Sequence, residues 1–260
     1  MIILGFLLAA LMGSTLGLIG AGGSILTVPI LVYFLQIPPS IATAYSLLIV
    51  GITALVGALF YYKKGLIDIR SMIIFAFPAM IFVLIARIFV IPNLPQTIFN
   101  VPKEMFIMLL FALLMLVAAF LMLRDNPNKN KNPQEKSRVL LFLKLVLGSS
   151  VVGFLTGMIG AGGGFLIIPT LIVLFGLEMQ KAIGTSLAII AINSLIGFNG
   201  DLILGTKMDW NILAPFITLT IIGMFGGLWV SKYFDGQKLK KIFASFILIM
   251  AIAIFVQEIG

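Results

Sequence analysis

Two glycine clusters inside apolar runs are the residues of this sequence best placed to do chemistry. They are Gly20 to Ser24 and Gly160 to Gly164. Glycine weakens a helix by about 1 kcal/mol per residue relative to alanine, and a backbone N–H or C=O freed inside an apolar environment costs several kcal/mol unless a partner satisfies it. We therefore expect each cluster to break a helix where the chain faces protein, water or a ligand.

A helix that begins at such a break can bind an anion. Its first turn presents free backbone N–H groups together with the positive end of the helix dipole, and small anions bind at that end. The predicted substrate contacts at the two breaks are Gly22, Gly23 and Ser24 in the first copy and Gly162, Gly163 and Gly164 in the second. The alternative is that these glycines only permit close helix packing.

A proline follows each cluster, Pro29 in the first copy and Pro169 in the second. Proline removes a backbone donor and leaves the carbonyl four residues earlier without its helical partner. Such a carbonyl can accept a hydrogen bond from water or contact a cation. We interpret the two prolines, with Gly20 and Gly160, as structural breaks.

Polar residues recur at equivalent positions after each cluster. Ser46 matches Ser186, and Thr53 matches Asn193. Within each copy the two positions lie seven residues apart, on one face of a helix, and hydroxyls and amides donate to an anion without the large cost of a buried charge. All four are predicted to bind substrate. Serine and threonine can instead bond their own helix, so Asn193 and Asn199 are the stronger candidates.

Charged residues within the apolar runs are few. Arg87 lies five residues before Pro92, and its side chain is expected to extend to the outer interface, where it could attract an anion at the entrance. Asp201 lies near the outer end of its segment and is expected to pair with Lys207. No acidic residue is placed deep enough for a proton relay, so a coupling ion, proton or sodium, stays open.

The composition defines the elements that must position these residues. Hydrophobic residues make up 61% and charged residues 10% of the 260 residues, which predicts an all-α polytopic membrane protein because several apolar runs exceed the ~18 residues that span a bilayer. Alternating strands of a membrane barrel are absent from the pattern. The eight predicted segments, two of them broken, cover about 1–36, 40–62, 71–91, 103–123, 139–177, 180–204, 210–231 and 240–257.

Charge and residue usage exclude several function classes. The net charge of +8 comes from basic residues in loops, where they orient a membrane protein, so nucleic acid is not an expected partner. The sequence has no cysteine and no histidine, which removes disulfides, thiol chemistry and the commonest acid–base group and metal ligand. We expect no enzyme activity, no cofactor and no metal.

The chain contains an internal repeat. Residues 11–66 and 151–206 share 18 identities in 56 positions at a constant offset of 140, which indicates a structural duplication of the kind found in transporters. The polar stretch 124–138 separates the copies. The predicted domains are an N-terminal transmembrane repeat at 1–123, a cytoplasmic linker at 124–138 and a C-terminal transmembrane repeat at 139–260.

Basic residues predict how the two repeats are oriented. If every segment crossed once, ten lysines and arginines would face six across the membrane. If each broken segment folds back as a hairpin, the halves become inverted and fourteen face two. The positive-inside rule favours the second arrangement, with both termini outside. The run from Ser24 to Gln36 is also short, about 20 Å as helix against a core of about 30 Å.

At these residues the chain resembles the sulfite exporter TauE/SafE family, also called the toluene-sulfonate uptake permease family. The shared motif is Gly-x-x-Gly-x-Gly-Gly-[Gly/Ser]-x-x-x-x-Pro-x-Leu, once in each half. Its first copy is carried by Gly17, Gly20, Gly22, Gly23, Ser24, Pro29 and Leu31, and its second by Gly157, Gly160, Gly162, Gly163, Gly164, Pro169 and Leu171. The resemblance covers essentially the whole chain and implies transport of sulfite, sulfoacetate or similar compounds across the cytoplasmic membrane of a prokaryote.

The resulting hypothesis is a secondary transporter that moves a small anion by alternating access between two inverted repeats. The expected partners are the anion and the lipid bilayer, while the oligomeric state and the transport direction stay open. An anion channel lined by re-entrant hairpins is the alternative. An intramembrane enzyme lacks its acid, base, nucleophile or metal cluster, and a purely structural subunit would not need two backbone breaks.

Overall fold

Helices dominate the structure, a computed structural model that describes residues 2–20, 22–98, 101–123, 138–159, 164–206 and 208–259. The helices are α1 (Ile2–Ile19), α2 (Gly22–Pro29), α3 (Pro39–Lys63), α4 (Ile69–Ile85), α5 (Lys103–Leu123), α6 (Arg138–Ile159), α7 (Gly164–Val173), α8 (Met179–Ile203), α9 (Trp210–Val230) and α10 (Gly236–Ile259). The all-α class predicted from the sequence is confirmed.

Short irregular elements extend some of these helices. The residues Ile30–Phe34 after α2 and Ala86–Val90 after α4 form π-helical turns, and Ser231–Tyr233 after α9 form a 3₁₀ turn. Two short strands, β1 (Thr97–Ile98) and β2 (Val101–Pro102), pair as an antiparallel ribbon. The sequence did not predict this ribbon, because two paired residues per strand are too few to leave an alternating pattern.

Five helical spans in the described residues are long and apolar enough to cross a membrane: Pro39–Lys63, Ile69–Val90, Lys103–Phe120, Met179–Ile203 and Trp210–Tyr233. Leu4–Ile19, Gly23–Phe34, Leu143–Ile159 and Ala244–Glu258 are shorter apolar helices. Large hydrophobic side chains such as Phe77, Phe120 and Trp229 are exposed on the outside of the bundle, where lipid can cover them. The protein is therefore a multi-pass membrane protein.

Local sequence signals set the helix ends. Asp68 and Asp209 cap α4 and α9, because their carboxylates accept from the backbone N–H groups of Ser71, at 3.3 Å, and Asn211, at 3.0 Å. Both are typical N-cap residues. At the other end of the preceding helices, Gly65 and Gly205 have φ angles of +66° and +77°, a conformation that only glycine adopts readily. These turns lie at equivalent positions in the two repeats.

α2 runs back along α1 in the opposite direction. Gly23 packs on Leu16 near the turn, and the Thr27 hydroxyl lies 3.2 Å from the Met12 sulfur. At the far ends, a β-carbon on Gly5 would lie 3.2 Å from Leu35 Cδ2. α6 and α7 are related in the same way, because Gly148 in the first half of α6 packs against Leu174, the residue after α7. The first broken segment is thus an antiparallel hairpin rather than one bent helix.

α3 and α8 form the centre of the molecule. In an apolar 18-residue stretch of each helix, 72% and 78% of the residues are buried, against 39% in the corresponding stretches of the other three long spans. Gly57 of α3 packs on Leu187 of α8, while Gly197 of α8 packs on Leu47 of α3. The two helices therefore cross in antiparallel directions, and these contacts place the crossing near residues 52 and 192.

Candidate functional site

The first break includes Gly20, between α1 and α2. Gly20 has a φ of +81°, and a β-carbon there would lie 2.5 Å from Ile183 Cγ2 of α8. α2 is already helical from Gly22 onward, two residues earlier than the sequence indicated. Gly22, Gly23 and Ser24 thus form the first turn of α2 rather than the break itself.

Ser186 contacts this break from α8. Its hydroxyl donates to the carbonyl of Ile183 at 2.8 Å, and the hydroxyl oxygen also lies 3.4 Å from the carbonyl oxygen of Gly20. Ile183 and Ser186 are the fifth and eighth residues of α8. The first hairpin therefore extends past the crossing of α3 and α8 and ends close to the start of α8.

The second break can be compared only in part. Gly160, Gly162 and Gly163 lie outside the described residues, so their predicted roles stay predictions. Gly164 begins α7 in the structure, and Pro169 lies inside that helix. In the first copy Pro29 ends the α-helical part of its arm, and the chain continues as the π-helical turn.

Buried polar side chains lie along α3, α8 and α9, on both sides of the crossing of α3 and α8; we call them the central polar cluster. Its members are Ser46, Thr53, Ser186, Asn193, Ser194 and Thr220. Thr53 donates to the Ile49 carbonyl at 2.7 Å, and its hydroxyl lies 2.9 Å from that of Thr220 on α9. Thr53 and Ser186 therefore make the intrahelical bonds that were the structural alternative for these positions.

Asn193 is the member of this cluster whose side-chain donor and acceptor are both unpaired among the described residues. It is 1% exposed, and neither its amide nitrogen nor its amide oxygen has a partner among the described residues. The hydroxyls of Ser46 and Ser194 are likewise unpaired within the described chain. An unsatisfied buried polar group costs about 1–3 kcal/mol, so water or a polar solute is the expected partner. Asn199, by contrast, is exposed and donates to the Leu195 carbonyl at 2.7 Å.

The structure corrects the expected surroundings of Arg87. Its side chain is 1% exposed instead of extending to the outer interface. Arg87 Nη1 lies 3.4 Å from Asp201 Oδ1 and donates to the Thr43 hydroxyl at 3.2 Å. Asp201 therefore pairs with Arg87, and a carboxylate is buried after all. Lys207 lies outside the described residues, so the expected contact between it and Asp201 stays a prediction. Opposite charges at matching depths of two apolar segments were the signal that could have revealed this pair.

These features define a multi-pass α-helical membrane protein with a hairpin at its first helix and a buried polar centre. A family model described as Sulfite exporter TauE/SafE matches residues 5–254. The chain belongs to this family, as its glycine and proline motif predicted.

Relatives support the same class. A "Probable membrane transporter protein" of Xylella fastidiosa is 30% identical over 253 residues, covering 95% of this chain and 91% of the relative. A "Probable membrane transporter protein YunE" of Bacillus subtilis is 29% identical over 228 residues, covering 81% and 80%. A "Probable membrane transporter protein" of Haemophilus influenzae is 35% identical over 121 residues, covering 43% and 44%. No solved structure matches the chain. The family and these names indicate a membrane transporter rather than an enzyme.

Proposed function

We propose that this protein is a secondary transporter that moves a small anion, of the sulfite or organosulfonate class, across the cytoplasmic membrane by alternating access between two inverted repeats. The observation that carries the proposal is the antiparallel crossing of α3 and α8. These two helices occupy equivalent places in the repeats, and equivalent spans that cross in opposite directions are expected only when one repeat is inverted relative to the other.

Matched contacts between the repeats support this arrangement. The backbone N–H of Asp68 donates to the Thr185 hydroxyl at 2.9 Å, and the backbone N–H of Asp209 donates to the Tyr45 hydroxyl at 2.8 Å. Tyr45 and Thr185 are separated by the repeat offset of 140 residues. In each repeat, a hydroxyl group thus accepts a hydrogen bond from the backbone N–H just before α4 or α9 of the other repeat.

Contacts at the ends of the bundle agree with the hairpin topology. Partial burial, and after it the positive charge of Lys232, lower the pKa of the Lys64 ammonium, so both lysines lie at one end of the molecule. Ser40 lies 3.3 Å from Glu104 at the other end. If every broken segment crossed once, Lys64 and Lys232 would lie on opposite sides. Their proximity supports one basic, cytoplasmic end and termini on the outside.

The chemistry of the centre favours an anion as substrate. The first turn of α2 carries the positive end of a helix dipole and begins two residues after Gly20, whose carbonyl Ser186 contacts. Asn193 and Ser46 offer unpaired buried polar groups within the described chain. The family description names sulfite, an oxyanion small enough to be held by a few such groups. We therefore assign Gly22, Gly23, Ser24 and the central polar cluster to substrate binding, with Gly162, Gly163 and Gly164 as the equivalent contacts of the second repeat.

Uptake by the full chain in liposomes tests this function. Purified protein is reconstituted, and labelled sulfite uptake is measured with sulfoacetate as competitor and protein-free liposomes as the control. We expect saturable uptake that is accelerated by unlabelled sulfite on the opposite side, because alternating access exchanges bound substrate. Conductance without saturation or counterflow would favour a channel. If sulfite, sulfoacetate and other small oxyanions all fail to move, the proposed function is wrong.

A further inference from the structure

Arg87 is buried, and its contacts with the described residues use one of its three guanidinium nitrogens. Nη1 contacts Thr43 and Asp201, while Nε and Nη2 have no partner within the described residues. A guanidinium stays charged in proteins and has five N–H donors. Leaving the donors of a buried charged group unpaired is more expensive than leaving neutral donors unpaired, so a partner of opposite charge is expected at these nitrogens.

The two unpaired nitrogens lie side by side on one edge of the guanidinium. The N–H bonds of Nε and Nη2 point in parallel from that edge, and this is the fork that binds the two oxygens of a carboxylate or a phosphate. An anion with at least two oxygens on one central atom fits the fork. A single-atom anion such as chloride has no second acceptor atom, so both N–H groups must share one centre and their bonds are bent.

Asp201 does not fill the fork. Its only described contact with Arg87 joins Oδ1 to Nη1 at 3.4 Å, and Oδ2 has no partner among the described residues. Arginine–carboxylate pairs that are held tightly are usually bidentate, with N–O distances of about 2.7–2.9 Å. Asp201 therefore balances the charge of Arg87 through one long contact and leaves the stronger binding edge open.

The backbone around Arg87 also points to a binding role. Arg87 lies on the π-helical turn Ala86–Val90, and such turns are frequent at functional sites. Ala86 packs on Gly157 of α6, three residues before the second glycine cluster. On the other side Gly200 of α8 packs against the base of the side chain, because a β-carbon there would lie 3.4 Å from Arg87 Cβ. The guanidinium is thus held among α3, α4 and α8, beside the end of α6.

We propose that the Nε–Nη2 edge of Arg87 is a binding subsite for the transported oxyanion and that Asp201 is the internal anion that competes with it. The proposal rests on the function proposed above and names one of its binding residues. In the absence of substrate Asp201 neutralises the buried guanidinium. An entering sulfite or sulfonate takes two N–H bonds from the fork, and its negative charge weakens the single contact to Asp201.

The first test replaces the fork but keeps the charge. Arg87→Lys and the matched control Arg70→Lys, at an exposed position near the start of α4, are reconstituted, and KM for labelled sulfite is measured. Lysine cannot donate two parallel bonds, so we expect KM of Arg87→Lys to rise about tenfold or more, while KM of Arg70→Lys stays within about twofold. An unchanged KM for Arg87→Lys overturns the subsite.

The second test removes the competing anion and uses binding rather than transport. Purified wild-type protein and Asp201→Asn are heated in detergent with sulfite or with chloride at equal ionic strength. Sulfite should raise the unfolding temperature more than chloride does, and this difference should be larger in Asp201→Asn. Equal shifts by the two anions overturn the fork, and a smaller sulfite effect in Asp201→Asn overturns the competition.

The two proposals can fail separately. If wild-type protein transports sulfite and Arg87→Lys has an unchanged KM, the function stands and the subsite is wrong. If wild-type protein moves no oxyanion but is stabilised by sulfite through Arg87, the transporter function is wrong and the anion site stands. Should Arg87→Lys not fold, the sulfite-against-chloride comparison on wild-type protein decides the fork.

Discussion

Asn193 and Asn199 show how position within one helix changes the role of a side chain. Both lie on α8, but Asn193 is buried without a described partner, whereas Asn199 is exposed and bonded to its own helix. An amide that satisfies itself locally has no bonds left for a solute. A buried unpaired amide is destabilising, and a benefit to function is the simplest reason for keeping it.

Asn193→Leu should therefore separate stability from transport. Leucine branches at the same carbon as asparagine and leaves no polar atom unpaired, so we expect the unfolding temperature in detergent to stay equal or rise. Sulfite uptake should fall about tenfold or more, because one or two hydrogen bonds to the anion are lost. Both quantities are measured on the same preparation.

Asn199→Leu is the control for that substitution. It makes the same chemical change on the same helix, six residues away, at an exposed position. Uptake should stay within about twofold of wild type. If the two variants lose uptake equally, or if Asn193→Leu lowers the unfolding temperature markedly, Asn193 has a structural role instead.

Pairs of helices are joined by glycines that let backbones touch. On α1 and α9, Gly13 packs against the Thr220 carbonyl and Gly227 packs against the Ser14 carbonyl. On α6 and α4, Gly153 makes the corresponding contact with Ala79. Small residues permit this close approach, and in a membrane it is a main source of helix association.

Two neighbouring glycines of α9 make the role of this close helix packing testable. A β-carbon on Gly227 would overlap the Ser14 carbonyl, whereas a β-carbon on Gly226 would lie 4.0 Å from its nearest described neighbour, the Ser14 hydroxyl. Gly227→Ala should destabilise the protein by about 1–3 kcal/mol through overpacking. Gly226→Ala should be neutral or stabilising by up to about 1 kcal/mol, because alanine favours the helix.

Thermal unfolding and size-exclusion chromatography in detergent measure this difference. A loss of monodisperse protein for Gly227→Ala alone agrees with the close packing of α1 and α9. Equal unfolding temperatures for the two variants would contradict the prediction. They would mean that α1 and α9 can move apart at little cost in stability.

The whole molecule combines a symmetric frame with an asymmetric charge. The turns at Gly65 and Gly205 match, as do the bonds from Asp68 and Asp209. Asp201, however, has Tyr61, an uncharged phenol, at the equivalent position of the first repeat. Within the part of the chain that the structure describes, the buried Arg87–Asp201 ion pair thus has no counterpart in the other repeat.

The orientation of the molecule can be measured directly, because the chain contains no cysteine. Single cysteines replace Lys64, Lys232, Ser40 or Glu104, and a membrane-impermeant thiol reagent is applied to intact cells and to inverted vesicles. Lys64→Cys and Lys232→Cys should react only in inverted vesicles. Ser40→Cys and Glu104→Cys should react only in intact cells.

One result with the cysteine variants would contradict the inverted arrangement. If Lys64→Cys and Lys232→Cys react from opposite sides, the repeats are parallel and the inverted arrangement is wrong. Uptake of sulfite by each variant controls for folding, since all four positions lie outside the central polar cluster.

The sequence alone determined the class, the helical segments, the first break and the family. These depend on local properties: the length of apolar runs, the helix-breaking effect of glycine and proline, and a repeat visible at constant spacing. The predicted end of the segment at 40–62, for example, agrees with α3, which ends at Lys63.

Only the tertiary structure decided which polar groups meet. Arg87 pairs with Asp201 across 114 positions, Asp68 bonds Thr185 across 117, and Thr53 contacts Thr220 across 167. Such contacts depend on how each helix is rotated about its axis and on where it crosses its neighbours. Apolar residues cover nearly every face of these helices, so the sequence pattern contains little information about that rotation. Packing of the whole bundle determines it instead.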